Sequence, residues 1–343
     1  MKKKWGVAVL VLVVTFLYFS DFDLNSFTGK IVNQEKADSF VSEQGNLQLY
    51  FCPQEDCEGA LLQFIDSAQE SIHCAFFELN LVSIQQKLLE KQKIMDVKIV
   101  TDNDYLDEFN YSFVRADKWG LMHNKFCIID GKKISSGSMN PTNNCAHKNN
   151  NNLLLIDSEI LARNYEDEFQ EMWNGIFKKG EPVKNPQVQL GEIKIKNYFC
   201  PEDHCAQQVE EELKKAQKEI YFMIFSFTHK NIGNVLLLKK SENLTLRGVM
   251  DASQISQYSV YDLFKYQGVD VLKDGNKYKL HHKVFIIDNQ TVITGSFNPS
   301  AGGDEKNDEN VLIIEDEAIA QRFLQEFEKV RGEAEIKEST QII

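Results

Sequence analysis

Two stretches of the chain carry the same chemically versatile residues at the same spacing. The stretch at residues 123–140 reads HNKFCIIDGKKISSGSMN, and the stretch at residues 281–298 reads HHKVFIIDNQTVITGSFN. Each contains His-x-Lys-x4-Asp and then, seven residues after the aspartate, Gly-Ser-x-Asn. An imidazole can attack a substrate or transfer a proton, and ammonium, hydroxyl and amide groups can hold an anion. The repeated set predicts chemistry on a negatively charged group.

The local geometry of each copy separates its side chains into two roles. The apolar run after the lysine predicts a strand that is buried on both faces. His123 and Lys125 are two residues apart, so an extended chain places both side chains on one face. Asp130 has the opposite parity and begins an Asp-Gly turn. We therefore expect Asp130 and Asp288 to hold their turns rather than to perform chemistry, while the serine and asparagine of the returning strand share a face.

A second copy supplies what one copy lacks. One copy alone could bind an anion, but it would have no partner acid. Phosphodiester cleavage needs a nucleophile, a proton donor for the leaving oxygen, and groups that hold the phosphoryl oxygens. If the halves pack around a pseudo-twofold axis, His123 can attack phosphorus and His281 can protonate the leaving group, or the reverse. The side chains expected to hold the phosphoryl oxygens, a task that metal ions perform in other enzymes, are Lys125, Lys283, Ser138, Ser296, Asn140 and Asn298.

The two motifs belong to a longer internal repeat. The stretch YFCPQEDCEGALLQFIDSAQESIHCAFFELN, from Tyr50, aligns without gaps to YFCPEDHCAQQVEEELKKAQKEIYFMIFSFT, from Tyr198. The distance from this stretch to the histidine motif is longer in the second copy, which places extra residues around 254–277. The chain is therefore predicted to be a duplicated unit.

Each half predicts helices and strands in the same order. An amphipathic helix follows the cysteines, and then come a strand, a second helix, a second strand, the motif hairpin and a closing helix. Such alternation predicts sheets covered by helices. We predict an α/β fold of two tandem α-β-α domains, packed as a pseudo-dimer around mixed β-sheets, with one site at their interface. The predicted helices cover residues 59–70, 83–93, 158–173, 206–218, 232–240 and 316–330, and the predicted strands cover residues 72–77, 97–101, 220–227 and 246–250.

Composition along the chain predicts the boundaries of the two domains. The segment between the halves contains two prolines, two glycines and several charges, which is typical of a linker. The hydrophobic fraction of 43% is that of a globular protein and argues against global disorder. The predicted segments are a signal anchor at 1–20, a polar spacer at 21–45, a first domain at 46–178, a linker at 179–194, a second domain at 195–332 and a loose tail at 333–343.

The amino-terminal segment predicts the compartment. Three lysines precede an uncharged, mostly apolar run at residues 6–20, which is typical of an export signal whose start stays in the cytoplasm. The run is shorter than the ~18–20 apolar residues of a membrane span, but no small-x-small cleavage site follows it. We expect an uncleaved anchor in the cell membrane, with the catalytic domains on its extracytoplasmic side. The alternatives are a cleaved signal on a secreted protein and a buried helix of a cytosolic one.

The cysteines are consistent with an oxidising compartment. Two similar C-x4-C pairs, each with proline second, occupy matching places in the repeat. Local disulfides are favoured, free structural thiols are the alternative, and zinc is disfavoured because thiolate zinc sites usually have C-x2-C spacing. The paired cysteines are Cys52, Cys57, Cys200 and Cys205. The other three cysteines, which are expected to be small core residues, are Cys74, Cys127 and Cys145.

The twofold motif resembles the signature of the phospholipase D superfamily, H-x-K-x4-D followed by G-S-x-N. The resemblance covers residues 46–332, and the small halves with an "FCP" entry are similar to the branch of compact bacterial endonucleases and mitochondrial cardiolipin hydrolases. In that branch two chains form one site, whereas here both halves are fused and the site is expected to be complete within one chain. The resemblance implies phospholipase D-like domains, a covalent phosphohistidine intermediate, hydrolysis or transfer to an alcohol, and no requirement for a metal or other cofactor.

One position departs from the family pattern. Members place a carboxylate downstream of each histidine to orient its ring, and Glu309 matches that place after His281. The equivalent residue in the first half is Asn151, whose amide can orient an imidazole but cannot stabilise its cation as a carboxylate does. We therefore predict that His281, backed by Glu309, is the more basic ring. Since the first-copy histidine often attacks in the family, the roles of His123 and His281 stay open.

The sequence leaves three classes of function. A membrane phospholipid substrate is slightly favoured by the anchor and by the formal charge of −13, which argues against bulk electrostatic binding of nucleic acid. A metal-independent endonuclease acting on DNA or RNA is the alternative, favoured by the compact halves and by lysines near the expected cleft mouth. A non-catalytic anion-binding scaffold is the third. The expected partners are accordingly a phospholipid headgroup or a nucleic-acid phosphodiester, and the membrane through the amino-terminal segment.

Overall fold

The computed structural model describes residues 40–118 and 120–341. Both halves of the repeat fall within one compact unit that begins at Phe40. The expected anchor at residues 1–20, and the expected spacer as far as residue 39, lie outside the described residues. Within the described part of the chain, no helix combines the length and the apolar character needed to cross a bilayer.

The first half forms a seven-stranded mixed sheet in the order β2-β9-β8-β7-β3-β4-β5, while β1 and β6 pair with strands of the second half. The strands are β1 (Val41–Glu43), β2 (Asn46–Cys52), β3 (Ser71–Phe76), β4 (Asp96–Thr101), β5 (Val114–Ala116), β6 (Leu121–Met122), β7 (Lys125–Ile129), β8 (Lys133–Gly137) and β9 (Asn151–Asp157). The helices are α1 (Cys57–Asp66), α2 (Val82–Lys91), α3 (Asn143–His147) and α4 (Glu159–Trp173), with a 3-10 turn at Asn103–Glu108.

The second half repeats this sheet with the order β11-β17-β16-β15-β12-β13-β14, extended at the β11 edge by β10 and β1. The strands are β10 (Gln187–Leu190), β11 (Ile193–Cys200), β12 (Glu219–Ile224), β13 (Thr245–Met250), β14 (Asp270–Lys273), β15 (Lys283–Ile287), β16 (Thr291–Gly295) and β17 (Asn307–Glu315). The helices are α5 (Cys205–Lys214), α6 (Lys230–Ser241), α7 (Tyr261–Tyr266), α8 (Ala301–Glu305) and α9 (Glu317–Gln341), with a 3-10 turn at Ala252–Gln254. The predicted pair of tandem α/β domains around mixed sheets is confirmed.

The two motif strands lie in the middle of their sheets. β7 pairs with β3 and β8, and β15 pairs with β12 and β16, in all cases antiparallel. Every residue of β7 and β15 is buried, because helices or the other half cover both faces. The uninterrupted apolar runs of the motifs follow from this position, since a strand covered on both faces has no polar side.

Helices α4 and α9 close the two halves over a shared core. Ser158 caps α4 by accepting a hydrogen bond from the backbone of Leu161. Aromatic side chains from both halves meet in this core, and the Tyr165 ring lies edge-on to Phe126 at 4.9 Å and to Phe199 at 5.0 Å between ring centres. Each fully buried phenylalanine contributes roughly 1.5–3 kcal/mol of transfer free energy. The apolar packing therefore holds the two halves at a fixed separation.

Three segments differ from the expectations drawn from the sequence. The expected linker at 179–194 contains strand β10 and the start of β11, because alternate apolar residues such as Val188 and Ile195 are buried in the sheet. The expected loose tail continues α9 to Gln341, with Ala334 buried against the core. The extra residues of the second half form α7 and lead into β14.

The two motif aspartates stabilise the turns that connect the two strands of each motif hairpin. Asp130 has a positive φ of 54°, and its carboxylate accepts hydrogen bonds from the backbone of Gln69, Glu70 and Ser71. Asp288 does the same at φ 52° with the backbone of residues 217–219. The carboxylates tie each hairpin to the start of β3 or β12, in line with the structural role expected for them.

The C-x4-C pairs are bonded within each half, as Cys52–Cys57 and Cys200–Cys205. The expectation for the remaining cysteines was partly wrong. Cys74 and Cys127 face each other on β3 and β7 and form a third disulfide, because the antiparallel register brings the two side chains together. Cys145 is the free cysteine, and it is buried.

Candidate active site

The two motif histidines line one cleft between the halves. His123 lies between β6 and β7, and His281 lies two residues before β15. The two histidines are only 6% and 7% exposed, and both line a cavity of about 560 Å³. The structure thus brings both sequence motifs to a single site.

The backbone of each histidine is held by the opposite half. β6, directly before His123, pairs in parallel with residues 307–308 of β17, and the His123 amide donates to the Asp308 carbonyl at 3.0 Å. Reciprocally, Asn150 bridges to Leu280, and the His281 amide donates to the Asn150 carbonyl at 2.9 Å. The halves therefore exchange main-chain contacts at the places where the catalytic candidates sit.

As a result of this exchange, each histidine ring is paired with an orienting residue from the other half. His123 Nδ1 lies 2.8 Å from Glu309 Oε2, and His281 Nδ1 lies 2.9 Å from Asn151 Oδ1. The prediction that Glu309 backs His281 is wrong, because Glu309 lies on β17, which pairs with the strand directly before His123. Asn151 likewise comes directly after the bridge from Asn150 to the second half. Spacing along the chain gives the right residues but assigns each to the wrong ring. The carboxylate supports His123, and the amide supports His281.

The hydrogen bonds define how each ring is presented. The Asn151 amide nitrogen donates to the Cys145 carbonyl at 3.1 Å, so its oxygen faces His281. The carbonyl oxygen of Ser138 also lies 3.2 Å from His281 Nδ1. With two acceptors on one side, Nδ1 of His281 carries a proton. Nδ1 of His123 likewise faces the Glu309 carboxylate, which leaves the Nε2 atoms available for chemistry.

The motif lysines place positive charge behind the rings. Lys125 and Lys283 donate to the carbonyl oxygens of His123 and His281 and are only 2% and 3% exposed. Burial lowers the pKa of Lys125 to about 8. Burial and the charge of Lys125 hold the pKa of Lys283 well below its usual range. In their protonated form these lysines attract an anion into the cleft.

Burial also shifts the other titrating groups of the site. It raises the pKa of Glu309 to about 7, against the attraction of Lys125. Burial, together with Lys125 and Lys283, holds the pKa values of His123 and His281 well below their usual range. Both rings are therefore neutral near pH 7 in the free cleft. A phosphodiester anion between them adds the negative charge that favours protonation of one ring.

The serines and asparagines of the motifs take different places. The Ser138 hydroxyl donates to Asn151 Oδ1 at 3.1 Å and accepts from the backbone amide of Asn152. Its hydrogen bonds are therefore made within the protein. The Ser296 hydroxyl accepts from the Asn310 amide and bonds to Glu309. Both serines thus support the residues that orient the histidines, rather than facing the cleft as expected. The structure brings the motif asparagines into the cleft wall, and their side-chain oxygens have no hydrogen-bond partner among the described residues; they are Asn140 and Asn298.

The glycine before each serine allows this arrangement. Gly137 has a positive φ of 129°, and a Cβ there would lie 2.5 Å from the carbonyl oxygen of Asn152. Gly295 has the same conformation against Asn310. Only glycine fits both the φ angle and the close approach of β8 to β9.

Sequence reasoning missed a pair of aromatic rings that flank the histidines. Phe77 lies edge-on to His123 at 4.9 Å, and Phe225 lies edge-on to His281 at 4.8 Å between ring centres. The Lys125 and Lys283 ammonium groups lie 5.0 and 5.1 Å from the same two rings. The repeat alignment places the two phenylalanines opposite each other directly after β3 and β12. That shared position was the available signal.

The described residues offer one group of carboxylates with the spacing of a cation site, and it lies outside the cleft. Carboxylate oxygens of Glu168, Glu171 and Glu202 lie within 4.8 Å of one another. Burial and the charge of Glu202 hold the pKa of Glu168 well above its usual range. None of the three lines the cleft that holds the histidines.

Comparison with known proteins identifies relatives of both halves. The family described as "Cardiolipin synthase, PLD-like domain" matches residues 61–173 and again residues 209–331. A phospholipase D from Rickettsia conorii is 33% identical over 138 residues, which is 40% of this chain and 69% of the relative. A mitochondrial cardiolipin hydrolase from Xenopus tropicalis is 29% identical over 136 residues, which is 36% of this chain and 65% of the relative.

A solved structure shares the arrangement of both halves. The phosphatidylserine synthase of Haemophilus influenzae superimposes with a TM-score of 0.60 over 83% of this chain and 86% of its own, at 13% identity. At that identity the likeness concerns the fold.

Proposed function

The chain belongs to the phospholipase D superfamily and is a phosphodiesterase of that superfamily, and we propose that it cleaves membrane phospholipids through a covalent phosphohistidine on His123. The observation that carries the proposal is the pair of histidines in one cleft, with a carboxylate on His123 and an amide on His281. A carboxylate stabilises the cation that a histidine becomes when it bonds to phosphorus. An amide leaves the other imidazolium a stronger acid, which suits proton donation.

In the first step, Nε2 of His123 attacks phosphorus while the bond to the leaving oxygen breaks. The proton on Nε2 of His281 passes to that oxygen, so the alcohol leaves neutral. Glu309 accepts the hydrogen bond from Nδ1 of His123 and offsets the positive charge of the phosphorylated ring. The Lys125 and Lys283 charges, with the amides of the two cleft asparagines, offset the charge on the phosphoryl oxygens.

In the second step, His281 reverses its role. Its neutral Nε2 takes a proton from water or from an acceptor alcohol, whose oxygen attacks phosphorus as the bond to His123 breaks. Water gives hydrolysis, and an alcohol gives transfer of the phosphoryl group. All protons in this scheme move between the substrate, the incoming hydroxyl and His281, so the scheme requires no metal ion.

Trapping the intermediate tests the assignment of the nucleophile. The full chain with His281→Ala is incubated with bis(p-nitrophenyl) phosphate and quenched in base, in which phosphohistidine is stable. We expect a phosphoryl adduct on His123 by peptide mass mapping and none in His123→Ala. His147→Ala is the matched control, because this exposed histidine pairs with Glu58 and lies outside the cleft lining. An adduct on His281 in the His123→Ala chain, with none on His123, would reverse the assignment.

A second candidate function is cleavage of nucleic acid, and the residues at the mouth of the cleft support it. The half-exposed ring of Tyr278 has the Lys148 ammonium 5.5 Å and the Lys277 ammonium 6.0 Å from its centre. Lysines around an exposed aromatic ring can bind a single strand. The similarity to proteins named phospholipase D supports the lipid instead.

The choice is tested by turnover of labelled phosphatidylcholine, cardiolipin and single-stranded DNA, each with and without chelator, with His123→Ala as the blank. Lipid turnover supports the proposal, and DNA turnover alone moves the protein to the nuclease class. Turnover of none of the three would make it an anion-binding scaffold. Loss of activity with chelator would contradict the metal-free scheme.

The proposed location follows from the apolar run at residues 6–20, which lies outside the described residues. We propose that it anchors the chain in the cell membrane with the cleft on the extracytoplasmic side. Fractionation of cells, followed by protease treatment of intact spheroplasts, tests this. The proposal requires the chain to pellet with membranes and to be digested from outside.

A further inference from the structure

A second large hollow lies beside the catalytic cleft and has no part in the reaction scheme above. We call it the basic pocket and define it by Arg115, Lys118, Met172, Trp173, Phe177 and Lys179, with a volume of about 630 Å³. It lies between the end of β5 and the carboxyl end of α4, each with the segment that follows it. Its wall combines apolar and cationic side chains, which is the composition that an amphiphilic anion requires.

Its rim is positively charged on a protein that is acidic overall. The chain has 51 acidic and 38 basic residues, yet no carboxylate is among the described residues that line this hollow. Lys178 also lines the pocket, and its Nζ lies 3.8 Å from Oδ2 of the buried Asp117. Among the residues that the structure describes, Arg115, Lys118 and Lys179 have no ion-pair partner. The two lysine ammonium groups are therefore available for an external anion, while the Arg115 guanidinium donates to the Trp173 carbonyl.

The floor of the basic pocket is apolar and already packed. Met172 is 1% exposed, and Phe177 packs against the shared core. The Arg115 guanidinium lies 3.9 Å from the centre of the Trp173 ring, and the Phe169 ring stacks on Trp173 at 6.0 Å with an interplanar angle of 18°. Because its ring is stacked within the protein, Trp173 offers little surface to a nucleobase. Aliphatic groups, which need no stacking face, fit this floor better.

One short segment separates the basic pocket from the cleft. Arg115 and Lys118 line the pocket, and Leu121, a few residues later, lines the cleft beside His123. The Lys178 ammonium lies against Gly120, where a Cβ would collide with it. The basic pocket and the cleft are therefore lined by residues only three positions apart in the chain.

We propose that the basic pocket binds the headgroup of an anionic phospholipid presented by a bilayer, with the phosphate at the lysines and the glycerol region against Phe177. This contact would dock the mouth of the cleft on the lipid surface. Lysine side chains near an anionic membrane each add to binding, and the apolar floor adds contact that a free phosphate cannot make. The purpose of the docking rests on the proposed lipid function, but the binding itself needs no turnover.

Binding is tested with the full chain carrying His123→Ala, so that vesicles are not consumed. Sedimentation with vesicles of phosphatidylcholine alone is compared with vesicles of phosphatidylcholine and phosphatidylglycerol. We expect preference for the anionic vesicles, and a loss of about 30-fold in that binding when Lys118→Gln and Lys179→Gln are added. The matched control is Lys93→Gln with Lys218→Gln, which removes the same charge from exposed lysines outside the described cavities.

A kinetic measurement separates docking from chemistry. In the chain with both motif histidines intact, the Lys118→Gln and Lys179→Gln pair should leave turnover of soluble bis(p-nitrophenyl) phosphate unchanged and reduce turnover on anionic vesicles. No preference of the parent chain for anionic vesicles, or an unchanged preference in the double variant, overturns the proposal. Weaker binding of single-stranded DNA, with vesicle binding intact, also overturns it. If anionic vesicles bind through the two lysines but no lipid is cleaved, the basic pocket stands and the proposed function fails.

Discussion

The two halves of the site have the same geometry and different charge. His123 and His281 are equally buried, each has a phenylalanine at its edge, and each has its main chain held by the other half. They differ in the group that accepts from Nδ1, which is Glu309 for one ring and Asn151 for the other. The comparison shows that in this duplicated scaffold packing preserves the position of each ring, while the residue that accepts from Nδ1 differs in charge.

The residues at the mouth of the cleft also differ in charge between the two halves. The repeat aligns Glu78 with Ser226 and Leu121 with Lys279, and all four line the cleft. Burial, then Glu108, raises the pKa of Glu78. The first half therefore presents a carboxyl group where the second half has a hydroxyl, and the second half presents an ammonium group where the first half has an aliphatic side chain. A substrate with different charges on its two ester arms would have one preferred orientation in the cleft.

The largest effect is expected from removing each ring in turn. His123→Ala should abolish turnover of every diester, since no nucleophile remains. His281→Ala should lower turnover of phosphatidylcholine by about 10²–10⁴-fold but retain the first-step burst of p-nitrophenolate from bis(p-nitrophenyl) phosphate, whose leaving group needs no proton, while breakdown of the adduct is slowed. Steady-state rates on phosphatidylcholine and burst kinetics on bis(p-nitrophenyl) phosphate check this. Loss of the burst in His281→Ala would mean that the two rings do not have separate roles.

Glu309→Gln makes both orienting groups amides and should give the next largest loss, about 10²–10³-fold in kcat, because the phosphorylated His123 loses its counter-charge. The pKa of Glu309 is about 7 because of burial, so the carboxylate form is lost as the pH falls through that value. The parent rate should therefore fall on the acid side of about pH 7, and this fall should be absent from the variant. A variant that keeps the parent's acid limb would assign the limb to another group.

Asn151→Glu makes both orienting groups carboxylates and should have a smaller effect on rate. A carboxylate beside His281 raises the pKa of its ring, so protonated His281 persists to higher pH. The alkaline limb of the pH–rate profile should move upward, with little change in the rate at the optimum. Asn151→Gln keeps the amide and serves as control for the longer side chain. An unmoved limb in Asn151→Glu would show that His281 is not the acid.

The smallest effect is expected at the mouth. Lys279→Leu gives the second half the residue of the first and should raise KM for anionic phosphatidylglycerol several-fold with kcat unchanged, because one screened charge is lost. Glu78→Ser should lower the same KM by a similar factor. KM values at two salt concentrations check both, since the differences should shrink with added salt. Opposite signs would contradict the polarity assigned to the cleft.

Local patterns were enough to predict the fold and the identity of the main site residues. The buried runs of β7 and β15, the turn aspartates and the two motif histidines all depend on neighbours close along the chain. The pairing of Glu309 with His123 could not be predicted, because it depends on β6 crossing to the other half's sheet. The helical continuation to Gln341 was missed for a similar reason, since Ala334 is buried by packing rather than by a periodic local pattern.

The exchange of main-chain contacts between the halves has an evolutionary consequence. In an enzyme built from two identical chains, every change in the gene would alter both ends of the cleft together. Fusion lifts that constraint, so Glu309 and Asn151 can differ at equivalent places while each still serves the opposite ring. The same interlocking makes the halves dependent on each other, because separation would strip each histidine of its neighbour. Inheritance as one polypeptide permits the divergence and guarantees the pairing.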